Sequence, residues 1–536
     1  MGVMPALLFA ICVTIWGNYI SAPATIAFAG VVPLTGGLIT GLILGDPLNG
    51  LIAGGYISMA YLGWVTVGGT LPSNQYLAGY FGTALTIMAA ADPATAPALA
   101  IPIGLIGTLG HQAQMTVNSL FVHQGDKYAA QGNTKGIFIM QAIAPLALNA
   151  VLYGVPAFLL IMYGSGVADL FQQIPDKLVT GLSYTGAIMP ALGIAMLLYY
   201  MNKKYLLPYF AIGFFAVKYL NLGLMSMALF GGFIAIIYFT QQVKRGGQDA
   251  VSAQEEVQEL VDDVEMTKKL TKKELFSCFF RWVNWAQQCY NYERLQAMGF
   301  AFSMSPAINK LYTTKEDKAL ALQRHMVFFN TEPAHFGVSI LGITLAMEER
   351  KANGAQISDD DINAVKLGLM GPMAGVGDSW FQGIVFPLLV SLAAGLAVEG
   401  NYIAPFVFFI PFIVQRYAIG WFTFKLGYTK GKIAIANIFE NHKFTTAIEA
   451  LSILGMFVIG AMAALRVTIG LDINIIAGST SLSIQSVLDS IAPGIIPLAL
   501  VAIIYKLVAK KINPIIIVLL VFVIGILGSY LGFLAA

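Results

Sequence analysis

Charged side chains are scarce in this sequence. Of its 536 residues, 57% are hydrophobic and only 11% are charged, whereas about 25% are charged in soluble proteins; the mean hydropathy is +0.74. Such a chain cannot cover a water-facing surface, so lipid must be the solvent for much of it. The net charge of +2 decides nothing about nucleic acid, but there is no basic stripe and no nucleic-acid motif, so no nucleic-acid partner is expected.

Residues that hold metals or cofactors are scarce too. The cysteines, Cys12, Cys278 and Cys289, are too scattered for a disulfide framework or a zinc site, and we expect them to be small buried side chains. No His-x-x-x-His pair occurs, and His325 and His335 stand ten positions apart, so no metal site is predicted. The sequence suggests no cofactor.

One charged stretch divides the apolar sequence. Residues 244–270 carry an acidic run and then a basic run, which is typical of a solvated linker, and short positive loops favour the cytoplasm. We therefore predict a membrane domain over 1–243, a cytoplasmic linker over 244–270, and a domain over 271–536 in which amphipathic helices precede membrane spans. The predicted fold class is an all-α integral membrane protein of two polytopic halves, with about eleven or twelve membrane segments and re-entrant hairpins.

The first half has no Lys or Arg before Lys127. The positive region of a signal peptide is therefore missing, and we expect the N-terminal apolar segment to remain as structure. Segments 44–50 and 62–75 are rich in Gly and Pro, which indicates broken membrane helices of the kind that bind polar solutes in transporters. Asn74 and Gln75 are the best binding candidates here; the alternative is a loop at the membrane surface.

A polar pattern begins the second half. Asn284, Gln287 and Asn291 stand at i, i+3 and i+7 among aromatic residues, so we expect them on one helix face. Amides beside aromatic rings suit a sugar. The alternative is an interfacial amphipathic helix whose polar face meets water.

A second polar cluster lies at 325–335. His325, Asn330, Glu332 and His335 precede or follow Pro333, and the residue before a proline avoids the helical conformation. We expect a non-helical segment that exposes backbone and side-chain groups together. A purely structural turn is the alternative.

The third candidate is the glycine-rich segment 368–383. It lacks the Gly-Lys-Ser/Thr ending of a phosphate loop, so no nucleotide site is expected. Asp378 is a lone carboxylate entering an apolar stretch, and ionisable residues within membranes are functional candidates. We predict a break at 371–377 and a re-entrant loop that presents amides and Asp378. The alternative, that Asp378 is the N-cap of the next helix, is compatible with this prediction.

These segments resemble the mannose/fructose/sorbose family of the bacterial phosphoenolpyruvate-dependent sugar phosphotransferase system. Residues 1–243 resemble its IIC subunit and residues 270–536 its IID subunit, so the chain looks like a fusion of the two. The IIC likeness rests on Gly41–Gly50, Gly54–Gly55 and Leu62–Trp64, and the IID likeness on Asn291–Phe300, Phe328–Thr331, Leu341–Glu349, Gly368–Asp378 and Leu451–Phe457.

The resemblance implies a function that composition could not indicate. In this family, IIC and IID form a channel in the bacterial cell membrane, and a cytoplasmic IIB protein, supplied through IIA, phosphorylates the incoming sugar from a phosphohistidine. The implied fold is all-helical with re-entrant hairpins, and the implied assembly is a homotrimer. Family members can also serve as receptors for bacteriocins or phage.

The resemblance also points to site residues. Asn291 and Glu293 fall in an Asn-aromatic-Glu-Arg motif, and Asn330 and Asp378 fall in two other family motifs. We expect these four residues, with Gln287, to bind the sugar or shape its site. Our hypothesis is that His325 or Glu332 orients the sugar hydroxyl for phosphoryl transfer, in which positioning matters most.

The first half departs from mannose-type members. They have an acidic stretch where this chain has the uncharged residues 18–23, and a Glu where Ser58 stands. The substrate therefore stays open among amino sugars, sorbose, fructose and glycated compounds. The rival function is a secondary transporter driven by an ion gradient, although no coupling-ion motif is visible.

Overall fold

The computed structural model describes residues 2–17, 32–64, 73–164, 175–201, 204–246, 267–440, 442–477, 480–512 and 514–535. Helices dominate these ranges, in agreement with the predicted all-α membrane fold. The helices of the first half are α1 (Val3–Trp16), α2 (Pro33–Leu44), α3 (Pro47–Ala60), α4 (Gln75–Met88), α5 (Ala96–Ala130), α6 (Thr134–Tyr163), α7 (Asp176–Met201), α8 (Leu207–Leu220) and α9 (Leu224–Gly246), with 3₁₀ turns at Pro93–Thr95 and Lys204–Leu206.

The second half begins with four short helices and continues with long apolar ones. Its helices are α10 (Lys272–Trp285), α11 (Ala297–Leu311), α12 (Lys315–His325), α13 (Val338–Ala352), α14 (Asp359–Val398), α15 (Ala404–Glu440), α16 (His442–Arg466), α17 (Ile484–Ile491), α18 (Ile495–Ala509) and α19 (Pro514–Leu531). Two short antiparallel strand pairs join β1 (Gly470–Leu471) to β4 (Leu534–Ala535) and β2 (Asn474–Ala477) to β3 (Thr480–Ser483).

Helices α2 and α3 form a tight hairpin at the predicted break, 44–50. Gly45 has φ +87°, a conformation that favours glycine, and Asp46 then caps α3 by accepting a hydrogen bond from Asn49 N at 3.2 Å. A Cβ on Gly37 would overlap the backbone of Gly50, so small residues allow the two helices to touch. With 12 and 14 residues, each helix is too short to cross a bilayer of about 30 Å.

Longer helices supply the membrane spans. In the described ranges, four helices are long and apolar enough to cross a membrane: Pro93–Ala130, Thr134–Tyr163, Asp359–Val398 and Ala404–Thr429. A fifth candidate is the pair α17 and α18, which is bent by 82°. Several further apolar helices are shorter, so the number of membrane segments stays a prediction.

The prediction of a re-entrant loop over 368–383 is wrong. Helix α14 starts at a capping box formed by Ser358 and Asp361 and continues through the glycines. Continuous helix satisfies its own backbone groups, which the membrane interior requires. The irregularity is a π-helical turn at Phe381–Val385, just after Asp378, so Asp378 lies inside a helix and is not an N-cap. Such turns often occur at functional sites.

The two halves pack against each other along much of their length. Helices α8 and α9 pack on α16, α7 packs on α18 and α19, and α3 packs on the end of α14. One large cluster of buried apolar side chains includes residues from both halves. The linker residues 247–266 lie outside the described ranges, so the predicted linker boundaries stay predictions.

Lysines gather at one end of the molecule. Lys127 and Lys135 flank the turn between α5 and α6, and this turn contacts α11 and α12 of the second half, which carry Lys310 and Lys315. Asn309 Nδ2, for example, donates to Thr134 Oγ1 at 3.2 Å. By the positive-inside rule this end faces the cytoplasm.

Candidate functional site

The three candidate segments of the second half meet at one junction. Gln296 donates to Thr331 O at 2.8 Å and accepts from Thr331 N at 2.9 Å, which joins the first segment to the second. Tyr290 Oη donates to Asn330 Oδ1 at 2.7 Å. The third segment is also close, because a Cβ on Gly377 would overlap the side chain of Glu332.

The expected polar helix face over 284–291 is wrong. Helix α10 ends at Trp285, and residues 286–296 form a loop. Asn291 is completely buried and organises this loop: its Oδ1 accepts from the N–H groups of Glu293 and Arg294 at 3.1 and 2.9 Å, and its Nδ2 donates to Cys289 O at 3.0 Å. Asparagine side chains that bond nearby backbone groups compete with helix formation.

Other predicted residues of this segment lie at different depths. Asn284 is buried and donates to Tyr417 Oη at 3.0 Å, so it ties α10 to α15. Gln287 is half-buried in the loop. Glu293 is more exposed, and its Oε1 lies 3.0 Å from His123 Nε2 of α5. The segment therefore contributes one half-buried amide and several side chains that connect one helix or loop to another.

Glu332 is the centre of the second segment. It is 5% exposed, accepts from the N–H groups of Ala334, His335 and Phe336 at 2.7, 2.8 and 3.1 Å, and lies 3.0 Å from His335 Nδ1. Burial alone would raise the pKa of Glu332, but the His335 ring and these N–H groups outweigh it and hold the pKa at about 2. As predicted, the residues before Pro333 are not helical.

His325 lies inside the protein, among charged and aromatic side chains. It has no exposed surface, its Nε2 lies 3.1 Å from Glu348 Oε1, and its ring packs against Phe300. Arg324 Nε lies 3.2 Å from the same carboxylate oxygen, and Lys366 Nζ lies 4.5 Å from the Phe300 ring centre. These described contacts suit a structural role, and the hypothesis that His325 orients a sugar hydroxyl stays a prediction.

Asp378 is the half-buried carboxylate at the junction. Burial raises the pKa of Tyr290, and the negative charge of Asp378 raises it further, so the carboxylate lies near the phenol. The π-helical turn that follows Asp378 begins with Phe381, whose ring stacks on His335 at 4.9 Å. The junction thus combines a carboxylate, an amide, a phenol and aromatic faces.

Sequence reasoning missed the residues that the first half contributes. Asn118 of α5 donates from Nδ2 to Tyr290 O at 2.8 Å, and Gln141 of α6 donates from Nε2 to Trp285 O at 2.6 Å. Among the described residues, Asn118 Oδ1 and Gln141 Oε1 are buried and have no hydrogen-bond partner. Gln141 lies within the π-helical turn Ile139–Ile143. Both amides therefore keep an acceptor at the junction.

The polar side of α5 continues away from the cytoplasm. His111, Gln114 and Asn118 are buried at i, i+3 and i+7, so they share one helix face. Both ring nitrogens of His111 lack a partner within the described part of the chain, as do both amide atoms of the buried Asn149 in α6. The spacing of the α5 residues was visible in the sequence.

Asn74 and Gln75 are buried rather than exposed in a surface loop. Asn74 is the N-cap of α4 and accepts from Leu77 N at 3.0 Å, while its Nδ2 is a buried atom without a partner in the described ranges. Residues 65–72, which precede it, lie outside those ranges. No described cluster of three His, Cys, Asp or Glu side chains could hold a metal ion.

Comparison with known proteins gives two matches to family models. Residues 269–534 match the PTS system mannose/fructose/sorbose family IID component, and residues 3–237 match the PTS system sorbose-specific IIC component. The chain is 40% identical to the sorbose-specific EIID component of Klebsiella pneumoniae over 276 residues, 50% of this chain and 99% of that protein.

Similarity extends to the other subunit type and to a solved structure. The chain is 31% identical to the fructose permease IIC component of Bacillus subtilis over 222 residues, 41% of this chain and 82% of that protein. A cryo-EM structure of the mannose transporter ManYZ with microcin E492 is 40% identical, covers 50% of this chain and 100% of the matched chain, and has a TM-score of 0.30.

Proposed function

The chain belongs to the mannose/fructose/sorbose family of the phosphotransferase system, as a membrane sugar permease with a IIC part and a IID part in one polypeptide, and from this premise we propose how it works. A hexose-type sugar crosses the bacterial cell membrane through the polar junction between the two halves. At the cytoplasmic side the sugar receives a phosphoryl group from a phosphohistidine on a separate IIB protein, which IIA recharges.

One observation carries this proposal: the junction contains buried polar atoms that have no hydrogen-bond partner among the residues that the structure describes. Asn118 Oδ1 and Gln141 Oε1 lie there, and His111 and Asn149 lie farther from the cytoplasm in the same helices. Each unsatisfied polar group in a membrane interior costs several kcal/mol. Sugar hydroxyls both donate and accept hydrogen bonds, so a passing sugar would satisfy these atoms.

The predicted residues have different roles in this proposal. Gln287, Asn330 and Asp378 contact the sugar: Asn330 and Asp378 are half-buried at the junction, and Gln287 is half-buried in the loop after α10. Asn291 and Glu332 hold the surrounding loops, and Asn284 ties α10 to α15, through the hydrogen bonds described above. Glu293 stands at the cytoplasmic mouth, and Asn74 and Gln75 hold the start of α4.

The phosphoryl transfer needs no base from this chain. The sugar hydroxyl oxygen bonds to phosphorus, the bond between phosphorus and the IIB histidine nitrogen breaks, and the hydroxyl proton ends on the imidazole nitrogen that phosphorus has left. The chain contributes by positioning the hydroxyl, which supplies most of the catalysis in such transfers. The added charge prevents the sugar phosphate from crossing the apolar membrane interior, so the sugar stays trapped in the cytoplasm.

The assembly and receptor roles rest on the family resemblance. A homotrimer is part of our proposal, and the mass of the detergent-solubilised protein by light scattering tests it. A receptor role for bacteriocins or phage also stays a prediction, which survival of a deletion strain would test.

The central experiment measures sugar phosphorylation in inverted membrane vesicles that contain the chain. The vesicles receive cognate IIA and IIB, the general phosphotransferase proteins, phosphoenolpyruvate and a panel of radiolabelled sugars. We expect a sugar phosphate that forms only when IIB and phosphoenolpyruvate are both present. Uptake that follows an ion gradient, with no phosphorylated product from any sugar, would instead identify a secondary transporter.

A further inference from the structure

An open cavity of about 580 Å³ lies where the two halves meet outside the membrane spans of the second half. We call it the cytoplasmic groove; it is lined by Asp126, Arg294, Gln323, Met326, Val327 and Phe328. Asp126 belongs to α5 of the first half, and the other lining residues belong to the second half. The groove therefore forms only where the two halves are packed together.

The groove faces the cytoplasm. Asp126 is followed by Lys127 near the end of α5, and Gln323 belongs to α12, a helix that begins with Lys315 and is rich in charged residues. Short positive segments mark the cytoplasmic side. A cytoplasmic protein can therefore reach this surface, whereas the sugar enters from the other side.

Apolar side chains are exposed on this aqueous surface. Phe328, which lines the groove, is 43% exposed, and Leu320, one helical turn before Gln323, is 58% exposed. Tyr292, two residues before Arg294, is 56% exposed. Large apolar side chains exposed on a water-facing surface with polar neighbours are typical of protein interaction sites.

Arg294 places a guanidinium in the groove, where the carboxylate of Asp126 neutralises its charge and leaves only its remaining N–H groups for a phosphorylated partner. Its guanidinium donates to both oxygens of Asp126 at 2.7 and 2.9 Å and to Met326 O at 3.2 Å. These bonds hold the side chain across the boundary of the two halves and use three of the five N–H groups that a guanidinium carries. Arginine binds phosphoryl groups through paired N–H donors, so an anion can be received beside Asp126.

The groove also leads directly to the junction. Its wall is the segment Met326–Phe328, and Asn330 follows two residues later with its side chain bonded to Tyr290. Arg294 belongs to the loop that Asn291 organises. A protein seated in the groove would therefore touch the two segments that carry the proposed sugar contacts.

We propose that the cytoplasmic groove is the docking site for the phosphohistidine-carrying IIB protein, with Phe328 as the apolar anchor and Arg294 facing the phosphoryl group. This inference rests on the proposed function, because it assigns a place to the donor which that function requires. The partner surface should present an apolar side chain close to its phosphohistidine.

The test compares Phe328→Asp with Tyr402→Asp in the vesicle assay. Tyr402 is a control because it is similarly exposed, at 48%, in the turn between α14 and α15 at the opposite end of α14 from the capping box. The rate is measured against the concentration of phosphorylated IIB at saturating sugar. We expect Phe328→Asp to raise the half-saturating IIB concentration at least about tenfold, as hot-spot residues do, and Tyr402→Asp to leave it unchanged.

A second measurement does not depend on activity. A photoreactive benzoylphenylalanine in place of Phe328 should cross-link to purified IIB, whereas the same group in place of Tyr402 should not. Normal dependence on IIB in Phe328→Asp, or cross-linking from position 402 alone, would overturn the docking site while sugar phosphorylation by the unmodified chain stands. Absence of any sugar phosphate with the unmodified chain would instead overturn the proposed function.

Discussion

The two sides of the junction use their polar residues differently. On the second-half side, Asn291 and Glu332 are buried, and backbone groups of their own segments occupy their side-chain oxygens. On the first-half side, Asn118 and Gln141 each bond to the other half through the amide nitrogen and keep a buried oxygen without a partner in the described chain. The side-chain oxygens of Asn291 and Glu332 are thus occupied within their own half, whereas those of Asn118 and Gln141 are available to a ligand.

This difference separates positioning from binding. A buried carboxylate with several N–H donors fixes a loop, because removing it leaves those donors unsatisfied. An amide with an open oxygen costs free energy until a ligand supplies the missing bond. We infer that the second half supplies a rigid frame that carries Asp378 and Asn330, while α5 and α6 supply much of the polar lining that the sugar meets.

The largest expected effect comes from removing the charge of Asp378. A hydrogen bond to a charged group contributes about 1.5–3 kcal/mol, so Asp378→Asn should lower kcat/KM for sugar phosphorylation about 10- to 100-fold. The measurement is the initial rate at saturating phosphorylated IIB. Asp360→Asn, at an exposed carboxylate in the first turn of the same helix, serves as the control. Equal rates for the two variants would remove Asp378 from the sugar site.

The second-largest expected effect tests whether Glu332 holds α14 in place, through two glycines of that helix. A Cβ on Gly377 would overlap Glu332, whereas a Cβ on Gly375 would meet nothing within 4 Å. Overpacking costs about 1–3 kcal/mol, so Gly377→Ala should lower the unfolding temperature in detergent and slow phosphorylation. Gly375→Ala should do neither, because alanine favours a helix. Similar behaviour of the two variants would show that Glu332 does not hold this part of α14.

A smaller effect should distinguish a sugar contact in the first half from a structural residue in the second. Asn118→Ala removes a potential sugar contact, and one neutral hydrogen bond contributes about 0.5–1.5 kcal/mol, so the sugar KM should rise up to about tenfold. Asn291→Ala should mainly lower the unfolding temperature, since several loop bonds disappear. Sugar titrations and melting curves of both variants check this. A lower unfolding temperature for Asn118→Ala with an unchanged KM would place Asn118 in the frame.

Much of the architecture could be predicted because it follows from local rules. The hydrophobic excess indicates a membrane protein, Gly45 and Pro47 predict the break between α2 and α3, and Pro333 predicts the non-helical segment before it. The glycines at 371–377 were misleading, since the same residue type can break a helix or allow close packing within one. In α14 only the surroundings of Gly377 show which role applies.

The candidate site could be predicted only in part. Helix α10 ends at Trp285, and the loop that follows is anchored in part by tertiary bonds such as Gln296 to Thr331, 35 positions away, which no local pattern contains. The spacing of His111 and Asn118 was visible, but an uncharged polar residue on an apolar helix can equally be bonded within the core. Which of their atoms lack a hydrogen-bond partner among the described residues can be seen only once the positions of the neighbouring helices are known.

The smallest effect concerns His325 and the pH dependence of stability. Burial lowers the pKa of His325 from 6.5 to about 4 and outweighs its hydrogen bond to Glu348, which acts in the opposite direction; the nearby charges of Lys366 and Arg324 add to the lowering. Below pH 6.5 the unfolded chain binds a proton that the folded chain refuses. The free energy of unfolding should therefore fall as the pH is lowered from 6.5 towards 4.

Replacing His325 should make this pH dependence shallower. His325→Gln cannot be protonated, so its unfolding temperature should change less between pH 7 and pH 5 than that of the unmodified chain. Glu332, with its pKa at about 2, stays charged over this range and does not contribute. Because the described contacts of His325 are with Glu348 and Phe300, the variant should change sugar binding and phosphorylation by the same factor. If phosphorylation fell while sugar binding did not, His325 would act on the sugar hydroxyl, as the sequence analysis hypothesised. The second half would then take part in the transfer as well as positioning the site.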